Sequence, residues 1–152
     1  MELGLKGKKV ILSGGSRGIG LAIVTKFLEE GAQVAFFARG QEGVDAAQES
    51  LSDKGVIYGA AVDAADHAAV RKWVAQAASQ LGGIDIVVNN TSASASVEWT
   101  TEAWRNSFEV DLMSAVTMSD AALPWLEKSA AAAVLQVATV TAFEHHAMSV
   151  SP

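Results

Sequence analysis

The chain has 152 residues, half of them apolar and 18% charged, with a net charge of −6. One folded domain is the expectation, and the acidic balance argues against a nucleic acid or a membrane surface as its main partner. With no cysteine it has no disulfide, thiolate metal site or cysteine nucleophile, which fits a cytoplasmic setting, and no apolar run approaches the ~20 residues of a membrane-spanning helix.

Short β-branched runs alternate with longer helical patterns, which predicts a parallel sheet. Lys9 to Ser13 (KVILS) reads as the first strand, and Arg17 to Glu30 as a helix with Ile19, Ile23 and Phe27 on its apolar face, closed by Gly31. Gln33 to Ala38 is the second strand, Gln41 to Ser52 a helix, and Val56 to Val62 the third strand. Asp66 is placed to N-cap a helix that runs to Leu81 and stops at Gly82 and Gly83. IDIVVNN, residues 84–90, is the fourth strand, nearly all apolar as a strand buried on both faces should be. Thr101 to Lys128 reads as one long helix, with Trp104, Phe108, Ala115 and Ala122 on one stripe; Asp111 falls on that stripe and should be partly buried. AAVLQVA, residues 132–138, is a fifth strand that would form an exposed apolar edge, with Trp125 and Leu126 short of a neighbour.

The strongest chemical signal is SGGSRGIG, Ser13 to Gly20, where the first strand turns into the first helix. A phosphate needs backbone N–H groups aimed at it and the positive end of a helix dipole behind them. Gly14, Gly18 and Gly20 let the main chain come close enough for that, although a glycine-rich turn can also serve only as a tight connection.

The Gly14-x-x-x-Gly18-Ile19-Gly20 pattern after a strand, with Asn89 and Asn90 ending the fourth strand, resembles the short-chain dehydrogenase/reductase family. The resemblance runs from about Lys9 to the last residue. It implies an α/β, Rossmann-type, doubly wound parallel sheet of which five strands are present, in one incomplete dinucleotide-binding domain covering residues 1–152. It also implies that Gly14, Ser16, Arg17, Gly18, Ile19 and Gly20 hold the pyrophosphate of a nicotinamide dinucleotide. Asp63 falls where the family binds adenine. Asn89 and Asn90 fall on an Asn-Asn-Ala-Gly motif that stabilises the sheet and contacts the cofactor ribose; here it reads Asn-Asn-Thr-Ser.

Charge argues the choice of cofactor. An acidic residue at the end of the second strand would bond a ribose 2′-OH and repel a 2′-phosphate, but Ala38 stands there and Arg39 follows it. With Arg17 in the glycine turn, two guanidinium groups can converge on a 2′-phosphate. NADP(H) is therefore expected in preference to NAD(H).

Family members orient a substrate oxygen with a Ser, move its proton with the Tyr of a Tyr-x-x-x-Lys pair, and place an Asn in the long helix. Thr139 falls on the Ser position, with Thr141 as the alternative register. Asp111, followed by Leu112, falls on the Asn position; it either relays a proton, or caps local polar groups or reaches solvent at the helix edge. The sole tyrosine, Tyr58, lies in the third strand, and no Tyr-x-x-x-Lys occurs; its expected place is at or just past Pro152. His145 and His146, in the loop before it, could donate a proton or form a surface pair.

Two functions follow. One is the cofactor part of an NADP(H)-dependent oxidoreductase that moves hydride between nicotinamide and a small carbonyl or alcohol substrate, with residues 1–152 inactive alone. The other is a truncated, non-catalytic nucleotide-binding or assembly subunit whose partner completes the sheet. The resemblance also implies a homo-oligomer formed through the 101–128 helix.

Overall fold

The computed structural model describes residues 3–93 and 100–138. Strands β1 (Lys9–Ser13), β2 (Gln33–Ala38), β3 (Ile57–Ala61), β4 (Ile86–Asn89) and β5 (Ala133–Gln136) form one sheet in the order β3-β2-β1-β4-β5. Every pairing is parallel, with Val10 of β1 opposite Val34 on one side and Ile86 on the other. Helices α1 (Gly18–Glu29), α2 (Gln41–Ser50) and α3 (His67–Leu81) make the crossovers between the first four strands. The chain builds outward from β1 to β3 and then returns to place β4 on β1's other side. The order therefore reverses between β1 and β4, and in open α/β sheets ligands bind beyond the strand C-termini at such a reversal.

The central strands β1, β2 and β4 are buried on both faces, which is why they read as unbroken apolar runs. Val10, Leu12, Val34, Phe36 and Val88 pack under Val24 and Leu28 of α1 and Val44 and Ala47 of α2. Ile11, Ala35, Phe37 and Val87 face the other way, against Trp73 and Val74 of α3 and against Met118 and Ala122. Phe37 and Trp73 meet edge to face with centroids 4.8 Å apart. Each fully buried side chain of this size contributes about 1.5–3 kcal/mol, so this double core fixes the strand ends that carry the site.

The structure departs from the sequence reading in three places. The fully buried positions of α1 are Gly20, Val24 and Leu28; of the expected face, Ile23 and Phe27 are half-buried against the core, whereas Ile19 is 66% exposed. Leu126 is not short of a neighbour, being buried in the core with Trp125 packed beside it. The expected long helix is three pieces: α4 (Thr101–Ser107), a π-helical segment (Phe108–Met113) and α5 (Ser114–Leu126).

The π segment has a geometric consequence. In α5 the inward stripe is Ala115, Met118, Ala122 and Leu126. An unbroken α-helix would carry that stripe back through Asp111, Phe108 and Trp104. The extra residue of a π turn rotates the chain by about one position, so Val110 is buried, and Ser107 and Ala103 half-buried, in their place. Trp104 and Phe108 are left 41% and 52% exposed, so the expected stripe does not face the core, and Asp111 is exposed rather than buried on it.

At the far edge, Val134 and Leu135 of β5 are exposed, as expected of an uncovered apolar strand. Thr139, Thr141, His145, His146 and Pro152 lie outside the described residues. Among the described residues, no helix is long and apolar enough to cross a membrane.

Candidate cofactor site

A cleft of about 770 Å³ opens beyond the C-terminal ends of β1, β2 and β4, where the strand order reverses. Of the residues assigned to cofactor binding from sequence, Gly14, Ser16, Arg17, Gly18, Ile19, Gly20, Arg39, Asp63 and Asn90 all line it, and Asn89 does not.

Sterics dictate the glycine turn. Gly14 and Gly18 have φ of +75° and +54°, in the left-handed region that side chains disfavour. A Cβ on Gly20 would stand 1.9 Å from the Gly14 carbonyl oxygen, and one on Gly15 would stand 2.6 Å from the Phe36 ring. The Gly14 and Gly15 N–H groups both donate to the Phe37 carbonyl, at 2.8 and 3.2 Å, tying the turn to β2.

Beyond the turn, α1 starts uncapped. Arg17, at its N-cap, makes no side-chain cap hydrogen bond, and the first turn holds no acidic residue. By contrast, Asp66 caps α3 by accepting from Ala69 N, and Thr100 caps α4 by accepting from Ala103 N. The first N–H groups of a helix have no partner within it, so the bare end of α1 offers donors and a positive dipole end to an anion.

The basic residues flank that end. Arg17 and Arg39 are exposed on the cleft, and the ion pairs of the described residues involve neither. Asp63 accepts from Ala65 N through Oδ1 at 3.0 Å, which fixes its carboxylate on the cleft wall. The exposed Ile19 gives the cleft an apolar surface beside the turn.

Side-chain hydrogen bonds hold the opposite wall. Ser13 Oγ accepts from the N–H groups of Asn90 and Thr91, at 2.9 and 3.1 Å. Asn90 Nδ2 donates back to the Ser13 and Gly14 carbonyls, at 3.2 and 3.1 Å, so this asparagine stitches β1 to β4 and faces the cleft. Asn89 is buried and donates through Nδ2 to Ser119 Oγ at 3.0 Å, fastening β4 to α5. Two buried oxygens in this region, Asn89 Oδ1 and Thr91 Oγ1, have no hydrogen-bond partner among the described residues.

Asp111 reaches the same wall from the π segment. Its Oδ1 accepts from Ala93 N at 2.6 Å, and the Ser92 side chain also hydrogen-bonds to it. Burial pushes its carboxyl above the ordinary range, and the bonds from Ala93 and Ser92 only partly offset that.

Sequence reasoning missed Ser13, Gly15 and Thr91. Ser13 carried a signal, as a polar residue ending an apolar strand. Gly15 carried none beyond its neighbour Gly14, because its constraint comes from Phe36, across the sheet. The donors, the bare helix end and the turn too tight for a Cβ together suit the phosphate-bearing part of a dinucleotide.

Comparison with known proteins agrees with this geometry. The family model for short chain dehydrogenases matches residues 8–151. Isoepoxydon dehydrogenase of Penicillium expansum is 39% identical over 139 residues, covering 89% of this chain and 53% of the relative. An NADP-dependent (R)-specific alcohol dehydrogenase of Lentilactobacillus kefiri is 41% identical over 111 residues, covering 71% and 44%. A solved short-chain dehydrogenase/reductase of Serratia marcescens superposes with a TM-score of 0.83 at 30% identity, over 91% of this chain and 58% of its own. The chain thus spans about half the length of the relatives it matches.

Proposed function

Since the chain belongs to the short-chain dehydrogenase family, whose members use NAD or NADP, we propose that it carries the cofactor site of an NADP(H)-dependent oxidoreductase acting on a carbonyl or alcohol. The observation that carries the NADP(H) preference is the pair Arg17 and Arg39, exposed on the cleft without an ion-pair partner among the described residues, with Ala38 where an acidic residue would repel a 2′-phosphate. The printed name of the Lentilactobacillus kefiri relative, NADP-dependent, supports the same preference.

The bound dinucleotide would supply or accept hydride. This chain's own residues bind and orient it: the N-terminus of α1 and the turn from Gly14 to Gly20 receive the pyrophosphate, Asp63 accepts from the adenine, and Asn90 holds the two strand ends in register beneath it. Arg39 and Arg17 neutralise the 2′-phosphate. Thr139 is assigned the hydroxyl that orients the substrate oxygen. Because no Tyr-x-x-x-Lys occurs in the sequence, residues 1–152 alone are read as cofactor-binding and not catalytic.

Fluorescence titration with NADPH and NADH tests the preference. A charge-assisted hydrogen bond is worth about 1.5–3 kcal/mol, so NADPH should bind roughly 10- to 100-fold more tightly than NADH. Arg39→Asp should reverse the order. Equal affinities for the two cofactors in the wild type would refute the proposal.

A further inference from the structure

Thr91 stands where the family motif has alanine, and its hydroxyl is a buried polar group that the fold does not use. Its N–H donates to Ser13 Oγ, and its side chain lies over the glycine turn: Cα and Oγ1 are 3.3 and 3.4 Å from the point a Gly14 Cβ would occupy. Thr91 lines the cleft, yet Oγ1 is out of solvent and has no hydrogen-bond partner. Acceptors of the same wall already carry hydrogen bonds. Ser13 Oγ receives two N–H groups, and the Ser13 and Gly14 carbonyls receive Asn90 Nδ2. A buried hydroxyl left without a partner is costly and calls for an explanation.

We propose that Thr91 is a positioning residue for the dinucleotide, donating its hydroxyl hydrogen to a pyrophosphate or ribose oxygen that lies beyond the adenosine. Threonine has discrete staggered χ1 wells, and rotation from one to another carries Oγ1 off the Gly14 side, toward the cleft that Thr91 lines. The segment it sits on is fixed at both ends, by Ser13 Oγ on Thr91 N and by Asp111 Oδ1 on Ala93 N. The hydroxyl can therefore turn without the backbone moving. This inference rests on the cleft being a dinucleotide site.

The test compares Thr91→Val and Thr91→Ser in the full-length protein, by titration with NADPH and with 2′,5′-ADP and by the melting temperature without ligand. Thr91→Val keeps the shape and removes the donor. It should weaken NADPH binding about 5- to 10-fold and leave 2′,5′-ADP binding unchanged. Its unliganded melting temperature should be equal to or above that of the wild type, because an unpartnered buried hydroxyl is gone. Thr91→Ser should bind NADPH within about twofold of the wild type, as the donor is retained. A valine variant that binds NADPH as the wild type does, or that loses NADPH and 2′,5′-ADP equally, would overturn the role. A wild type that binds 2′,5′-ADP but neither NADPH nor NADH would overturn it too, and one that binds none of the three would overturn the reading of the cleft itself.

Discussion

The two ends of the sheet are built from the same strands to opposite standards. At the N-terminal ends, Asp85 accepts from Lys9 N at 2.9 Å and from Ser129 Oγ at 2.5 Å, Lys9 Nζ donates to the Gly82 carbonyl, and Ser129 Oγ accepts in turn from Ala131 N. That end is closed, with its polar groups answering one another across β1, β4 and the approach to β5. At the C-terminal ends α1 is uncapped, Arg17 and Arg39 form no ion pair among the described residues, and Thr91 Oγ1 and Asn89 Oδ1 lack partners. Native proteins leave few buried polar groups unsatisfied, and departures from local consistency collect at functional sites. The asymmetry sets the two ends apart: one spends its polar groups on the fold, and the other leaves several without a partner among the described residues.

Breaking the turn at the open end should have the largest effect. Gly20→Ala drives a methyl to within 1.9 Å of the Gly14 carbonyl and 2.6 Å of Asn90 Nδ2, so α1 must move off the sheet. The expected loss is about 3 kcal/mol or more, read by urea denaturation. Gly18→Ala is the comparison, since nothing lies within 4 Å of its added Cβ and only the left-handed backbone resists, at about 1 kcal/mol. Equal losses in the two variants would mean that packing between turn and strand does not shape this wall.

Asp85→Asn probes the closed end. Burial pushes the Asp85 carboxyl up, but the Ser129 hydroxyl, the Lys9 N–H and the Lys8 and Lys9 ammonium groups outweigh it and hold the group below its ordinary value. A depressed folded-state pKa contributes stability that is present above the unfolded value and is lost as pH falls through the folded one. With partial exposure discounted, the variant should be about 1 kcal/mol less stable at neutral pH. The deficit should hold down to roughly pH 5 and close below about pH 4. A deficit that persists unchanged at pH 3 would show that the carboxylate charge is not what holds the strands together.

Legibility in the sequence follows the same division between backbone and side chain. The parallel sheet, the glycine turn and the Asp66 cap were readable because each is local: an apolar run, a spacing, or one residue before a helix. Arg17 and Arg39 were readable because the strand and helix ends on either side of them were. On α1 only Ile19 departs from the expected face, because Gly20 beside it, which has no side chain to register in a hydrophobic pattern, is the residue pressed on the turn. The stripe of Trp104, Phe108 and Asp111 was misread because periodicity assumes a constant 3.6 residues per turn, and one π turn shifts everything before it. Ser13 and Thr91 were passed over because their roles depend on contacts far along the chain: Ser13 Oγ accepts from Asn90 and Thr91, 77 and 78 positions away.

Asp111 supplies the smallest and most discriminating effect, because its carboxyl differs from that of Asp85 in sign. Burial raises it, against the bonds from Ala93 and Ser92. A raised folded-state pKa in an acid contributes stability that is fully present below the unfolded value, near 3.9, and is lost as pH rises through the folded value. Asp111→Asn removes that titration and keeps an oxygen to accept from Ala93 N, so the variant should gain on the wild type as pH rises above about 4. Solvent screening of this exposed residue keeps the gain below about 1 kcal/mol. The difference in melting temperature between variant and wild type should therefore rise with pH above about 4 for Asp111→Asn, whereas for Asp85→Asn it should fall with pH on the acid side of about 5. Two curves of the same sign would mean that the ends of the sheet do not differ in how they hold charge. Opposite signs would show in solution that a carboxylate at the closed end works for the fold, whereas the one beside the cleft is held there against its own ionisation.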